Sequence, residues 1–280
     1  MTEATEATEA SDHRVRVDVD GPVAVVTLDR ADRRNAMDPA FFDAVAAAAV
    51  AVEDDPAVRC AVVVAAGDHF SVGLDLRHVQ ADLDQAEAGS QAEARLALWR
   101  EIRRVQAALT RLADCAKPVI AVTHGWCIGG GIDLILACDI RMASADTRFS
   151  IRETKMGIVA DLGTLQRLPR VVPAGHVAEL AFSGREFDAD HACAVGLVNR
   201  VAPTPAAARK EALALARQIA ENSPLVVQGV KQVLRMGADL GVQAGLEYVA
   251  SWNAAFLPSD DLAEAVSAYF ERRPPSFEGR

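Results

Sequence analysis

Two short strings, CAVVVAAG at residues 60–67 and KPVIAVTHG at residues 117–125, are apolar nearly throughout and show no polar alternation. Strands of that kind are buried on both faces, the condition of a parallel sheet covered by helices. The segments between them fit that condition. DPAFFDAVAAAAVAVEDD at residues 38–55 opens with Asp38 as a cap and Pro39 at the first helical position. A long helix is expected to end near Cys115 and a short one to occupy about 130–137, while DIRMAS at 139–144 reads as a strand. VRVDVD and VAVVTLD read as a hairpin joined near Gly21-Pro22. Strand, loop and helix keep alternating, which is the pattern of right-handed βαβ units and of an α/β core.

After Ala202 the strands stop. TPAAARKEALALARQIAENSPLVVQGVKQVLRMG and the residues beyond it read as three or four amphipathic helices. The expected organisation is a disordered tail at 1–12, where Thr-Glu-Ala recurs three times, a core at 13–200, a helical region at 201–272 and a tail at 273–280. A polar, mobile stretch is expected near 80–92. The net charge of −10 argues against nucleic acid as the main partner. No window approaches the ~18 apolar residues of a membrane span, and the acidic N-terminus is neither a secretory signal nor a transit peptide. The Ala-, Val- and Arg-rich, Lys-poor composition has a bacterial character, and a cytoplasmic location is expected. Five cysteines without CxxC spacing read as small buried hydrophobes, and no metal-ligand spacing occurs, so no metal is expected.

Function turns on GWCIGGGIDLILACDIRMAS at residues 125–144, where three glycines lead into an apolar helix carrying one acid, Asp133. A dinucleotide fingerprint fails because Leu134 stands at the third glycine position, and a phosphate loop fails for want of Gly-Lys-Ser/Thr. Two readings remain: glycines that let helix and strand pack closely, or backbone amides that approach a ligand oxygen at a helix start. HFSVGLDL at 69–76 carries Gly73 at another strand exit and would free a second amide, from Leu74. Two amides facing one point make an oxyanion hole.

DRADRRNAMD, HFSVGLDL, KPVIAVTHGWCIGGGIDLILACDIRMAS and LGTLQRLPR resemble, in order and spacing, the hallmark blocks of the crotonase superfamily, the enoyl-CoA hydratase/isomerase group. The resemblance covers about residues 14–272. It implies repeated ββα units in two nearly perpendicular sheets, a helical C-terminal region that mediates trimerisation, and a homotrimer or a hexamer built from two trimers. It also implies an acyl-CoA substrate, with coenzyme A as part of that substrate and no separate cofactor. By position, the oxyanion hole would be the backbone N–H groups of Leu74 and Gly130. Arg33, Arg34, Ala36, Gly73, Asp75, Leu76 and Arg77 fall where the family binds the CoA substrate, although the arginines could equally be ordinary surface residues.

Three acids remain: Asp133, Glu153 in FSIRETKMG and Asp161 in GIVADLGTLQRLP. Locally, Glu153 beside Arg152 and Lys155 reads as a solvated charge, and Asp161 as a helix cap. Asp133 is the odd one, because an unpaired buried acid is costly. In the hydratase pattern two glutamates handle water and the carbon 2 proton, and the position of Asp161 is normally glycine. The trio here resembles the dienoyl-CoA isomerase branch, which converts 3,5-dienoyl-CoA to 2,4-dienoyl-CoA in fatty acid β-oxidation. That resemblance implies Glu153 as base at carbon 2, Asp161 as acid at carbon 6, and Asp133 as an orienting group. The alternatives are an enoyl-CoA hydratase, a single-bond isomerase, and a non-catalytic or RNA-binding scaffold on the same fold.

Overall fold

The computed structural model describes residues 14–78 and 90–280. The acidic N-terminal repeats and most of the polar stretch near 80–92 lie outside these residues. Among the described residues, nine strands form two sheets: β1 Val15–Asp20, β2 Val23–Leu28, β3 Cys60–Ala65, β4 Val119–Thr123, β5 Trp126–Ile128, β6 Ile140–Ser144, β7 Arg148–Ser150, β8 Phe187–Asp188 and β9 Arg200–Ala202. The larger sheet runs β1-β2-β3-β4-β6-β9 and the smaller β5-β7-β8. Only β1 and β2 pair antiparallel in the larger sheet, across the anticipated Gly21-Pro22 turn; every other pairing in it is parallel.

The helices are α1 Pro39–Asp54, α2 Gln91–Asp114, α3 Gly130–Leu136, α4 Thr164–Arg167, α5 Ala174–Ser183, α6 Ala189–Ala194, α7 Pro205–Ala220, α8 Pro224–Gly237, α9 Val242–Phe256 and α10 Asp260–Glu271. Asp38 caps α1 by accepting from Phe41 N–H at 2.8 Å, with Pro39 at the first position as expected. Ser90 caps α2 by accepting from Glu93 N–H at 3.3 Å, and its hydroxyl donates to the Glu93 carboxylate at 2.8 Å.

Side-chain alternation explains why β2 and β3 look uniformly apolar. Ala61 and Val63 face a core built with α1, α2 and α3, while Cys60, Val62 and Val64 face the other way. That second face is covered by α7, whose Ala208, Ala212 and Ala216 recur at four-residue spacing and let the helix lie close to the sheet. The sheet thus continues through β9 to Ala202, past the core limit anticipated at residue 200, and α7 packs as a layer of the core. Four cysteines are buried and Cys193 is exposed.

The C-terminal residues are tied down. Asp261 accepts from Glu278 N–H at 2.8 Å and Gly279 N–H at 3.1 Å, and Arg59 donates to the Phe277 carbonyl at 2.7 Å. Among the described residues no helix is long and apolar enough to cross a membrane.

Candidate active site

The chain leaving β3 threads between two neighbours. On one side Met37 N–H donates to Gly73 O and Asp75 N–H to Met37 O, both at 2.8 Å. On the other, Ser71 N–H donates to Trp126 O at 2.9 Å and Ile128 N–H to Ser71 O at 3.0 Å. The result brings Leu74 against the glycine turn. A Cβ built on Gly130 would lie 3.9 Å from the Leu74 nitrogen, and one on Gly73 would lie 3.0 Å from Ile128 O and 3.5 Å from the Gly130 nitrogen. Gly73 also has φ +86°, so both its backbone angle and the closeness of approach require glycine. Gly130 opens α3, where the first N–H groups have no partner within the helix. Among the described residues neither the Leu74 nor the Gly130 N–H donates a hydrogen bond.

A polar scaffold fixes this junction. Buried Asn35 accepts from Arg30 N–H at 2.8 Å and donates to the carbonyls of Ala66 and His69 at 2.9 and 2.8 Å. Ser71 donates its hydroxyl to Asn35 O at 2.7 Å and accepts from Gly73 N–H at 3.1 Å. The Arg30 guanidinium donates to Ala36 O at 2.8 Å and to Asp75 Oδ2 at 3.1 Å, and lies 3.3 Å from Asp38.

Two of the three acids stand close to the glycines, Asp133 on the helix they begin and Glu153 against Gly129. Asp133, on α3, is 1% exposed, and its Oδ1 accepts from both Thr164 N–H at 2.6 Å and Thr164 O–H at 2.7 Å. Burial pushes this carboxyl up to about 7, aided by the charge of Glu153, while the Thr164 bonds pull the other way. Glu153 opens a 3₁₀ turn at Glu153–Met156. Its Oε1 lies 3.1 Å from where a Cβ on Gly129 would be, and its Oε2 is buried without a hydrogen-bond partner. Gly129 has φ +51°, so that position is glycine for its backbone and for the carboxylate beside it. Burial, and then the charge of Asp161, raise the Glu153 carboxyl; burial raises Asp161 as well. Each acid is thus pushed towards its neutral form, and Glu153 is electrostatically linked to both others.

Local sequence reasoning fails twice here. Glu153 is not a solvated charge. Asp161 is not the cap of α4: Gly163 holds that position without a side-chain bond, and Asp133 supplies the Thr164 contact from another helix. Asp75, in the stretch expected to bind the substrate, pairs with Arg30 while its Oδ1 accepts from Arg77 N–H at 3.2 Å. Ala36 is buried with its carbonyl held by Arg30. Arg33, Arg34, Leu76 and Arg77 are exposed, on stretches joined by Val72 N–H donating to Arg34 O at 3.2 Å. His69 is structural: its Nδ1 accepts from Trp126 N–H at 3.3 Å.

Thr164, Arg30 and Asn35 were not anticipated, and only the left-handed backbone of Asn35, at φ +53°, marks one of them as unusual. Gln106 was missed too; its side chain donates to the Asp161 carbonyl at 2.6 Å. Among the described residues no group of three or more His, Cys, Asp or Glu side chains is placed to share a metal ion.

An arrangement of unpaired amides beside linked carboxyls can stabilise a developing oxyanion and shuttle protons around it. Known proteins with this sequence pattern agree with such chemistry. A family model described as enoyl-CoA hydratase/isomerase matches residues 18–280. A protein of Dictyostelium discoideum named mitochondrial Delta(3,5)-Delta(2,4)-dienoyl-CoA isomerase is 43% identical over 255 residues, covering 91% of this chain and 87% of that protein. Its peroxisomal namesake from Arabidopsis thaliana is 41% identical over 264 residues, covering 94% and 95%. The crystal structure of an enoyl-CoA hydratase from Bacillus anthracis superposes with a TM-score of 0.85 at 26% identity, covering 95% of this chain and all of that one. On the strength of fold, site and relatives together, the chain belongs to the enoyl-CoA hydratase/isomerase family of enzymes.

Proposed function

We propose that this enzyme converts 3,5-dienoyl-CoA to 2,4-dienoyl-CoA, and the observation that carries the reading is the third acid, Asp161, on the stretch that leads from Glu153 beside Gly129 to Thr164, the partner of Asp133. Shifting two conjugated double bonds towards the thioester removes a proton from carbon 2 and adds one at carbon 6. Those atoms lie too far apart for one carboxyl to serve both. Glu153 takes the carbon 2 proton, the thioester oxygen gains negative charge, and the N–H groups of Leu74 and Gly130 meet it. Such a donor is worth about 10²–10³ in rate. Asp161 then delivers its proton to carbon 6. Glu153 ends protonated and Asp161 ionised, and exchange with solvent resets the pair.

This chemistry calls for no metal or redox group. Arg33, Arg34 and Arg77 are exposed cations suited to the phosphates that the CoA portion brings. Hydration, the second reading, needs a second acid presented to a water, and the commitment of Asp133 Oδ1 to Thr164 counts against it. On α8, Val226, Val230 and Leu234 are exposed at four-residue spacing, which supports a trimer or hexamer formed through the helical layer. A bacterial cytoplasmic location rests on sequence character alone, and the two named relatives are mitochondrial and peroxisomal.

The test is to incubate purified enzyme with 3,5-octadienoyl-CoA and follow the ultraviolet absorbance of the 2,4-dienoyl product, with 2-enoyl-CoA hydration assayed in parallel. Isomerisation that collapses in Asp161→Asn, with little hydration, supports the reading. Brisk hydration indifferent to Asp161→Asn overturns it.

A further inference from the structure

Asp161 sits on an irregular stretch between the Glu153–Met156 turn and α4, without a strand or helix of its own to hold it. An acid that must meet one carbon atom needs its backbone held, because a misplacement of about 1 Å can reduce the rate about 10²-fold. The structure shows what holds it. Gln106 of α2 donates its side-chain N–H to the Asp161 carbonyl at 2.6 Å. Arg103, also on α2, donates to Gln106 Oε1 at 2.8 Å and so aims the other end of that amide at Asp161. One helical turn further along α2, the Thr110 hydroxyl accepts from Arg167 at 3.3 Å, and Arg167 also donates to the Leu162 carbonyl at 3.2 Å. Positions 106 and 110 lie on one face of the helix. Two consecutive carbonyls of the acid-bearing stretch are therefore stapled to the same face of α2, and Asp133 pins the far end through Thr164.

We propose that Gln106 is a positioning residue for the reaction, fixing the backbone that carries Asp161 so that its carboxyl is held at the proton-delivery position beside Glu153. This deepens the isomerase reading and rests on it. Gln106 touches no substrate; it acts through Asp161. The charged group linked to Asp161 is Glu153 on its own stretch, while Arg167 reaches the neighbouring Leu162 carbonyl and Arg103 donates to Gln106 Oε1, a bond that changing Gln106 also removes.

The discriminating variant is Gln106→Met, which keeps side-chain length and helix preference but removes the donor. With the staple gone, the stretch loosens and the carboxyl gains access to water. The expected result is a fall in kcat of about tenfold with KM within about twofold. The high-pH limb of the kcat profile, set by the acid that must hold a proton, should move to lower pH. In an Asp161→Asn background the same change should add almost nothing, because the group being positioned is already lost. Thr110→Val, which removes the second staple without touching Gln106, should show the same pattern more weakly. Thermal unfolding monitors whether each variant remains folded.

Wild-type kcat and an unshifted limb in Gln106→Met, with Asp161→Asn inactive, overturn the positioning role and leave the isomerase reading standing. Parallel loss of kcat, KM and thermal stability, additive with Asp161→Asn, assigns Gln106 a structural role only and also overturns it. An active Asp161→Asn removes the isomerase reading and this inference together.

Discussion

Asp133 and Thr164, 31 residues apart, meet through two hydrogen bonds to a single oxygen, Oδ1 of Asp133, at 2.6 and 2.7 Å. The acid on the glycine-turn helix therefore holds the start of the helix that follows Asp161. The commitment of one oxygen to protein donors supports the orienting role proposed for Asp133.

The ionisation of Asp133 gives a stability test. Burial raises its carboxyl from the ordinary value near 3.8 to about 7 in the folded protein. The folded state thus binds this proton more tightly than the unfolded chain does. The associated stability is complete below the unfolded value and is lost as pH rises through about 7. Asn at this position could still accept from Thr164 but never ionises. Asp133→Asn should therefore gain on the wild type as pH rises from 4 to 8, by a difference on the order of a few kcal/mol. Urea unfolding at pH 5 and pH 8 checks it, and a difference that ignores pH would refute the assignment.

Glu153 should separate chemistry from stability. Its Oε2 is buried without a partner and its carboxyl is raised by burial and by Asp161. Glu153→Gln removes the base, so isomerisation should fall by about 10²–10⁴. The same change removes a buried charge, so the melting temperature at pH 8 should equal or exceed that of the wild type. A variant that melts early while retaining activity would show that Glu153 is a structural residue.

Gly73 is constrained twice, by φ +86° and by Ile128 O standing 3.0 Å from any added Cβ. Gly73→Ala should cost about 1–3 kcal/mol in stability and displace the Leu74 amide. The loss in kcat/KM should approach the ~10²-fold of a missing oxyanion donor. Gly157→Ala is the control, because Gly157 also has positive φ but no atom lies within 4 Å of its added Cβ. If both variants lose activity equally, backbone strain and not the Leu74–Gly130 approach is the cause.

What could be read from the sequence divides along physical lines. The doubly buried strands, the Asp38-Pro39 start of α1 and the two glycine turns were legible, because each depends on a short stretch of chain. The three acids became legible through the ordered motif blocks, since local context assigned Glu153 to solvent and Asp161 to a cap. Partnerships across the fold were not legible. Gln106 donates to a residue 55 positions away and Arg30 to one 45 positions away, and neither carries a local signature. Asp75 shows the same limit: it lies in the motif, and its pairing with Arg30 carries no local signature.

Arg30 provides the last prediction. Its guanidinium spans three groups, the Ala36 carbonyl and the carboxylates of Asp75 and Asp38, at 2.8 to 3.3 Å with only 15% of the side chain exposed. Ala36 and Asp75 flank the Met37–Leu74 pairing, so this one planar cation latches the two backbones that present the Leu74 amide. An ammonium is a point charge and cannot span all three acceptors with that geometry. Arg30→Lys should therefore lower kcat/KM although the charge is kept, and Arg30→Met should also destabilise the fold by about 1–3 kcal/mol, because Asp75 loses its cation while Asp38 keeps Arg14. Asp75→Asn, which leaves Arg30 paired to Asp38, should be milder than either. Steady-state kinetics with urea unfolding on the three variants tests this order. An inactive Asp75→Asn beside a fully active Arg30→Lys would place Asp75 at the substrate and remove the latch.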